Sequence, residues 1–238
     1  EEELHGIGQT TTRWCGTGIT TVFEGTEPGP TLLLRADLDA LPIQEENTHE
    51  YRSERAGVMH ACGHDAHTAI LIGVARKLCR ETPLHRGRIV LLFQPAEEGR
   101  HGAEKLIEEG ILDSLAPDLC AGLHVWSEAP TGICHVTEGP FMASTNRFVI
   151  RLQGKGGHGA VPHTAKDPIV AGARLILALQ TLVSREVSPA ESAVITVGQI
   201  HAGNAFNIIP DTLELEGTLR TFNKDVQRTL ETRIREMA

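Results

Sequence analysis

Two stretches, Thr31-Leu32-Leu33-Leu34 and Ile89-Val90-Leu91-Leu92-Phe93, read as continuous apolar runs, with only Thr31 carrying a hydroxyl. A strand with one wet face alternates, so an unbroken run predicts a strand buried on both faces, as in a parallel sheet under two layers of helix. Between them, residues 66–80 have helical spacing, with Ala69, Leu71, Ile72 and Ala75 on one side and Asp65 placed to cap the first turn. Residues 103–109 predict a shorter helix stopped by Gly110. Residues 119–125 and 133–136 supply further strands. The order over residues 1–140, roughly β-β-α-β-α-β-β, predicts an α/β domain around a mostly parallel, helix-covered sheet.

The rhythm changes near residue 143. Residues 147–152 read as a strand, and Asp167-Pro168 opens a long helix to about Ser184, with Asp at the N-cap and Pro at the first helical position. Residues 193–200 form another strand. Residues 211–219 alternate strictly, Leu213, Leu215, Gly217 and Leu219 on one face against Thr212, Glu214, Glu216 and Thr218 on the other. A last helix starts at Lys224 behind Asn223, with Val226, Leu230, Ile234 and Met237 in one stripe. This β-α-β-β-α series over 141–238 predicts an α+β split-βαβ layer without its final strand.

Composition narrows the function. With 22 Lys plus Arg against 31 Asp plus Glu, the formal net charge is −9, which argues against a nucleic-acid binder. No apolar run approaches the roughly 20 residues of a membrane span, so no membrane partner is expected. The five cysteines are odd in number, scattered and never in a C-x-x-C pair, which fits a reducing, cytoplasmic setting. Twelve histidines against one Tyr and two Trp direct attention to metal binding and general-base chemistry. The first residues, Glu1-Glu2-Glu3-Leu4, carry neither a basic segment nor an apolar one, so the chain reads as an internal piece of a longer protein.

The densest cluster is His60-Ala61-Cys62-Gly63-His64-Asp65-Ala66-His67. Side chains two apart in an extended loop point the same way, so Cys62 and His64 can share one divalent metal or bridge two. Gln94-Pro95-Ala96-Glu97-Glu98-Gly99 follows the run ending at Phe93, where Pro95 stops the ladder. It places two carboxylates at the carboxyl end of a strand, where parallel sheets build their sites. One Glu can ligate a metal while the other faces a water as general base. Asp39 follows the run 31–34 and can orient a ligating imidazole from behind, and His124 lies near the end of another predicted strand. Asp39, Cys62, His64, Glu97, Glu98 and His124 thus map to one edge of one sheet. In the second segment, glycines around His158 let its imidazole reach outward, and an outward His or Asn, here His158 or Asn207, suits an oxyanion or carboxylate. Arg220 can pair with a substrate carboxylate.

Together R-A-D-L-D-A-L-P (35–42), M-H-A-C-G-H-D-A-H (59–67), Q-P-A-E-E-G (94–99), G-L-H-V (122–125), G-G-H-G-A-V-P-H (156–163) and N-I-I-P-D (207–211) closely resemble the amidohydrolase branch of the dinuclear metallopeptidases. That branch includes hippurate hydrolases, N-acyl-amino-acid amidohydrolases and the auxin-conjugate hydrolases. The resemblance implies a catalytic domain interrupted by a lid domain that also forms a homodimer interface. It implies two divalent ions, zinc, manganese, cobalt or nickel, on Cys62, His64, Glu98 and His124. It gives Glu97 the role of general base on the attacking water, Asp39 that of the acid behind the metals, and His158 that of the lid residue at the substrate. Cys62 in place of the Asp of other branches points to N-acyl amino acids as substrates.

The family's last ligand, a His after the lid, has no counterpart in this chain, and the family's N-terminal helix is not expected in it. Residues 1–238 are therefore expected to be a central fragment. Two rival functions remain, a di- or tripeptidase of the same superfamily and an inactive metal- or ligand-binding relative. The adjacent glutamates disfavour the second, because a binding module needs no unliganded Glu beside a ligand.

Overall fold

A computed structural model describes residues 1–80 and 86–238. The chain divides into two compact units, Glu1–Ile133 and Cys134–Ala238.

The first unit runs α1 (Glu2–Gly6), β1 (Thr12–Trp14), β2 (Gly18–Glu24), β3 (Glu27–Asp37), α2 (His64–Arg80), β4 (Arg86–Gln94), α3 (Gly102–Glu108), α4 (Ile111–Leu115) and β5 (Leu119–Gly122). Its sheet has the order β1-β2-β4-β3-β5. β3 lies parallel to both β4 and β5, while β1, β2 and β4 pair antiparallel. The unbroken apolar runs are explained by burial on two sides. Leu91 and Phe93 of β4 pack with Leu71 and Ala75 of α2 and with Leu4 of α1, whereas Val90 and Leu92 pack with Leu106, Ile111 and Leu115 of α3 and α4.

Several expectations need correction here. One strand was expected ahead of residues 31–34 but without bounds, and two are present there, β1 and β2, where Thr20 and Thr21 interrupt the apolar pattern although both are buried. A short helix, α1 over Glu2–Gly6, was not among the elements read from the pattern, and its Leu4 is only 2% exposed. The helix over 103–109 is followed at once by a second, α4. The strand over 119–125 stops at Gly122, and 133–136 forms no strand, with Val136 88% exposed. An apolar run without a ladder partner does not make a strand.

The second unit runs β6 (Asn146–Gln153), β7 (Gly157–His158), α5 (Pro168–Thr181), β8 (Ala193–Ala202), β9 (Ile208–Ile209), β10 (Thr212–Thr221) and α6 (Lys224–Met237). β10 lies antiparallel between β6 and β8. This is the expected split βαβ, since β6 and β8 flank a strand that comes later in sequence. Asp167 caps α5 by accepting from Ile169 N at 2.8 Å and Val170 N at 3.4 Å, and Asn223 caps α6 in the same way. A π-helical turn, Leu182–Glu186, prolongs α5. By length and composition Pro168–Glu186 is apolar enough to cross a membrane, but Leu175, Leu179 and Leu182 pack into this unit's own core with Leu213, Leu215, Leu230 and Ile234.

Candidate metal centre

Helix α2 shows how the sequence builds the site. One stripe, His64, His67, Leu71 and Ala75, is buried at helical spacing. Its apolar half binds the helix to the sheet, and its first turn delivers two imidazoles to the carboxyl ends of β3 and β4. Asp65 is not the cap expected of it. The helix already includes His64, and Asp65 stands in the first turn, where its charge suits the helix N-terminus. Cys62 and His64 are brought together by a turn rather than an extended loop. Gly63 holds φ +82°, and a Cβ there would lie 2.5 Å from Val125 Cγ2, so both conformation and space call for glycine.

The ligand atoms converge. Cys62 Sγ lies 3.4 Å from His124 Nε2, and His64 Nε2 lies 3.9 Å from Glu98 Oε1. Cys62, His64 and His124 offer ligand atoms all within 4.8 Å of one another, and so do His64, Glu97 and Glu98. The hydrogen bonds then fix the tautomers. His64 Nδ1 is 2.9 Å from the Asp39 carbonyl and His124 Nδ1 is 2.6 Å from the Val125 carbonyl. A carbonyl only accepts, so both imidazoles donate from Nδ1 and leave Nε2 with a lone pair. His64 Nε2 is buried with no hydrogen-bond partner. An orphaned basic nitrogen beside a thiol and carboxylates fits a divalent ion.

The thiol fits as well. Burial, then the Glu98 hydrogen bond and charge, then Glu97 and Asp37, push the Cys62 thiol up to about 11. Without a cation this cluster keeps Cys62 protonated, and a divalent cation is what such a concentration of negative charge is suited to receive.

Asp39 lies behind His64 and does more than contact it. Its backbone carbonyl, not its carboxylate, takes the closer contact with His64, the carboxylate lying 3.5 Å from Nδ1. The carboxylate accepts the backbone N–H of Glu97 at 3.0 Å and of Glu98 at 3.1 Å. It therefore holds the turn after β4 that presents both glutamates, Glu97 exposed and Glu98 half-buried. That turn is tight: Ala96 holds φ 57°, and a Cβ on Gly102 would meet the Pro95 carbonyl at 1.8 Å. Nearby, two backbone hydrogen bonds between Leu41 and Met59 close the exposed loop between them.

Two participants escaped the sequence reading. Asp37, 1% exposed, accepts from His67 Nδ1 at 2.6 Å and from Arg35 at 2.8 Å. Burial opposes its ionisation, but the His67 hydrogen bond and then the Arg35 charge outweigh it and hold its carboxyl below the usual range. The available signal was the stripe of α2, in which His67 follows His64 by one turn.

In the second unit, His158 on β7 pairs with Ile208 of β9 and accepts from the Ala160 N–H at 3.1 Å. Asn207 is adjacent, its carbonyl accepting from Gly159 N at 2.8 Å. Arg220 is not brought to them. It is the penultimate residue of β10 and donates to Thr218, about 30 Å along extended strand from Asp211.

A mixed α/β sheet with imidazole, thiol and carboxylate groups gathered at the carboxyl ends of its parallel strands is an arrangement suited to a metal-binding α/β protein. The model of peptidase family M20/M25/M40 matches residues 33–223, and the chain belongs to that family. It is 47% identical over 217 residues to an N-acetyl-L-cysteine deacetylase of Bacillus subtilis, covering 91% of this chain and 52% of the relative. It is 46% identical to an N-acyl-L-amino acid amidohydrolase of Geobacillus stearothermophilus (90% and 58% covered). With an IAA-amino acid hydrolase of Arabidopsis thaliana it shares 45% identity (90% and 48%). The chain thus spans about half the length of these relatives. A crystal structure of a dinuclear metal-binding M20 peptidase from Bacillus subtilis superposes with a TM-score of 0.80 at 37% identity, covering 99% of this chain and 60% of that one.

Proposed function

We propose that this chain carries the catalytic centre of a metal-dependent amidohydrolase that cleaves the amide bond of N-acyl amino acids. The observation that carries the reading is the buried, partnerless His64 Nε2 among Cys62, Glu98 and His124, with Glu97 beside it. The names of the most similar relatives, which act on N-acyl amino acids, support the substrate class. Two divalent ions would be held by Cys62, His64, Glu98 and His124. Held there, they would supply Lewis acidity toward a carbonyl and a lowered pKa, toward about 7, for bound water.

The chain's own residues do the rest. Glu97 keeps its carboxylate exposed while Asp39 fixes its amide, so it is positioned to take the proton of the attacking water and return it to the leaving amine. His158, by resemblance, donates to the developing oxyanion, a contribution worth about 100-fold to 1000-fold. Asn207, next to His158, is assigned to a substrate contact because an outward amide suits an oxyanion or carboxylate, and Arg220, which lies apart from both, because a guanidinium can pair with a substrate carboxylate. The homodimer contact is placed on the second unit. β8 is a sheet edge with Val194 and Ile200 half exposed, and α5 next to it presents Leu177, 71% exposed.

The test uses the complete protein, with N-acetylcysteine, benzoyl-glycine and a free dipeptide as substrates and metal content measured beside rate. Glu97→Gln is expected to keep its metal and lose turnover by at least about 100-fold. Glu98→Ala is expected to lose metal. Equal metal loss in both variants would sink the division of labour, and preference for the free dipeptide would favour the peptidase reading.

A further inference from the structure

Asp37, His67 and Val125 form a chain of hydrogen bonds that the reading above does not use. His67 is 1% exposed and both of its ring nitrogens are engaged. Nε2 lies 2.9 Å from the Val125 N–H, and since an amide N–H only donates, Nε2 accepts. Nδ1 therefore carries the proton and gives it to Asp37 Oδ1 at 2.6 Å. His67 sits in a histidine- and carboxylate-rich cluster and has the appearance of a third imidazole ligand. With both nitrogens committed, it has no lone pair left for an ion.

We infer that Asp37 and His67 are positioning residues: the carboxylate fixes the tautomer of His67, and His67 grips the Val125 amide so that His124 presents Nε2 to the metal centre. Three elements are joined in this way, the end of β3, the first turn of α2 and the loop after β5. The need for a clamp is local. β5 ends at Gly122, so His124 stands outside the ladder and is itself exposed. Its ring centroid lies 4.5 Å from that of His67 at a steep angle, and its own Nδ1 donates to the Val125 carbonyl. Both backbone polar groups of Val125 are thus held, the N–H by His67 and the C=O by His124. Arg35 completes the anchor, bridging Asp37 to the buried Gln94 amide at 2.9 Å. Partners one step behind a ligand typically change metal affinity by about 10-fold to 100-fold when removed.

This inference rests on the metal-centre reading, and the experiment separates the two. In the complete, metal-free protein, nitrogen-resolved NMR of the histidine rings should show His67 protonated at Nδ1 and bare at Nε2. In cobalt titrations followed by the visible spectrum, His67→Phe should bind about 10-fold to 100-fold more weakly, with an altered ligand-field spectrum. His67→Gln, which keeps an acceptor for Val125, should recover part of the loss. Asp37→Asn should leave the metal-free fold intact by circular dichroism and weaken cobalt binding in the same direction, and it answers the question if His67→Phe does not fold. A protonated Nε2 on His67, or unchanged cobalt affinity and spectrum in both variants, would overturn the clamp. A wild-type protein that takes up no cobalt would overturn the metal-centre reading itself.

Discussion

Cys62 is the residue whose chemistry changes most when a cation arrives. Its thiol, raised to about 11 by burial and by the charges of Glu98, Glu97 and Asp37, is protonated at pH 7. Ligation requires the thiolate. Metal uptake at pH 7 should therefore release about one proton from Cys62. Calorimetry in buffers of different ionisation enthalpy checks this, and Cys62→Ser should remove that release. The sign for the metal-free fold follows from the same shift. With the folded value above the ordinary 9.0, the contribution is complete below pH 9.0 and is lost as pH rises through about 11.

Among elements, the turn into α2 is the most constrained. Gly63→Ala would place a side chain at φ +82° and within 2.5 Å of Val125 Cγ2. The backbone strain alone costs about 1–3 kcal/mol. Thermal unfolding should show that loss, and cobalt binding should weaken as well, because the displaced residue is the one His67 holds. Unchanged affinity would show that the Val125 loop tolerates the shift. The motif positions of this region were legible from sequence because Cys62, His64, Glu97 and Glu98 cluster in short, polar interruptions of apolar patterns. Asp37 and His67 were not, since one ends an apolar strand and the other falls on the buried stripe of a helix, where polar residues look like core positions until their partners are known. The part of Asp39 that sequence did not show is its hold on two backbone amides, because sequence cannot tell a carboxylate that faces only an imidazole from one that also faces the Glu97 and Glu98 N–H groups.

For the whole molecule, the change of pattern near residue 143 corresponded to a real change of architecture, because parallel and antiparallel sheets demand different burial. The pair without such a pattern, β1 with β2, was expected only as one strand without bounds. The surface of the second unit yields the prediction at this scale. If β8 and α5 form the homodimer contact, the complete protein should have twice its subunit mass by light scattering, and Leu177→Glu should shift it toward one subunit. A wild type with single-subunit mass would remove the dimer assignment.

The Leu41–Met59 pairing has a consequence for engineering. Its two hydrogen bonds, at 2.9 and 3.0 Å, bring together the ends of a mostly exposed loop that begins two residues after Asp39 and ends three residues before Cys62. Because that crossing is tied at its base, exchange of the 17 residues inside it (59 − 41 − 1) for other sequences is expected to leave both flanks in place, with unchanged cobalt affinity as the check. Closing a longer loop costs little, about 0.6 kcal/mol per doubling. A segment of this kind next to the residues proposed to hold the metal would let the surroundings of the site be redesigned apart from the site itself.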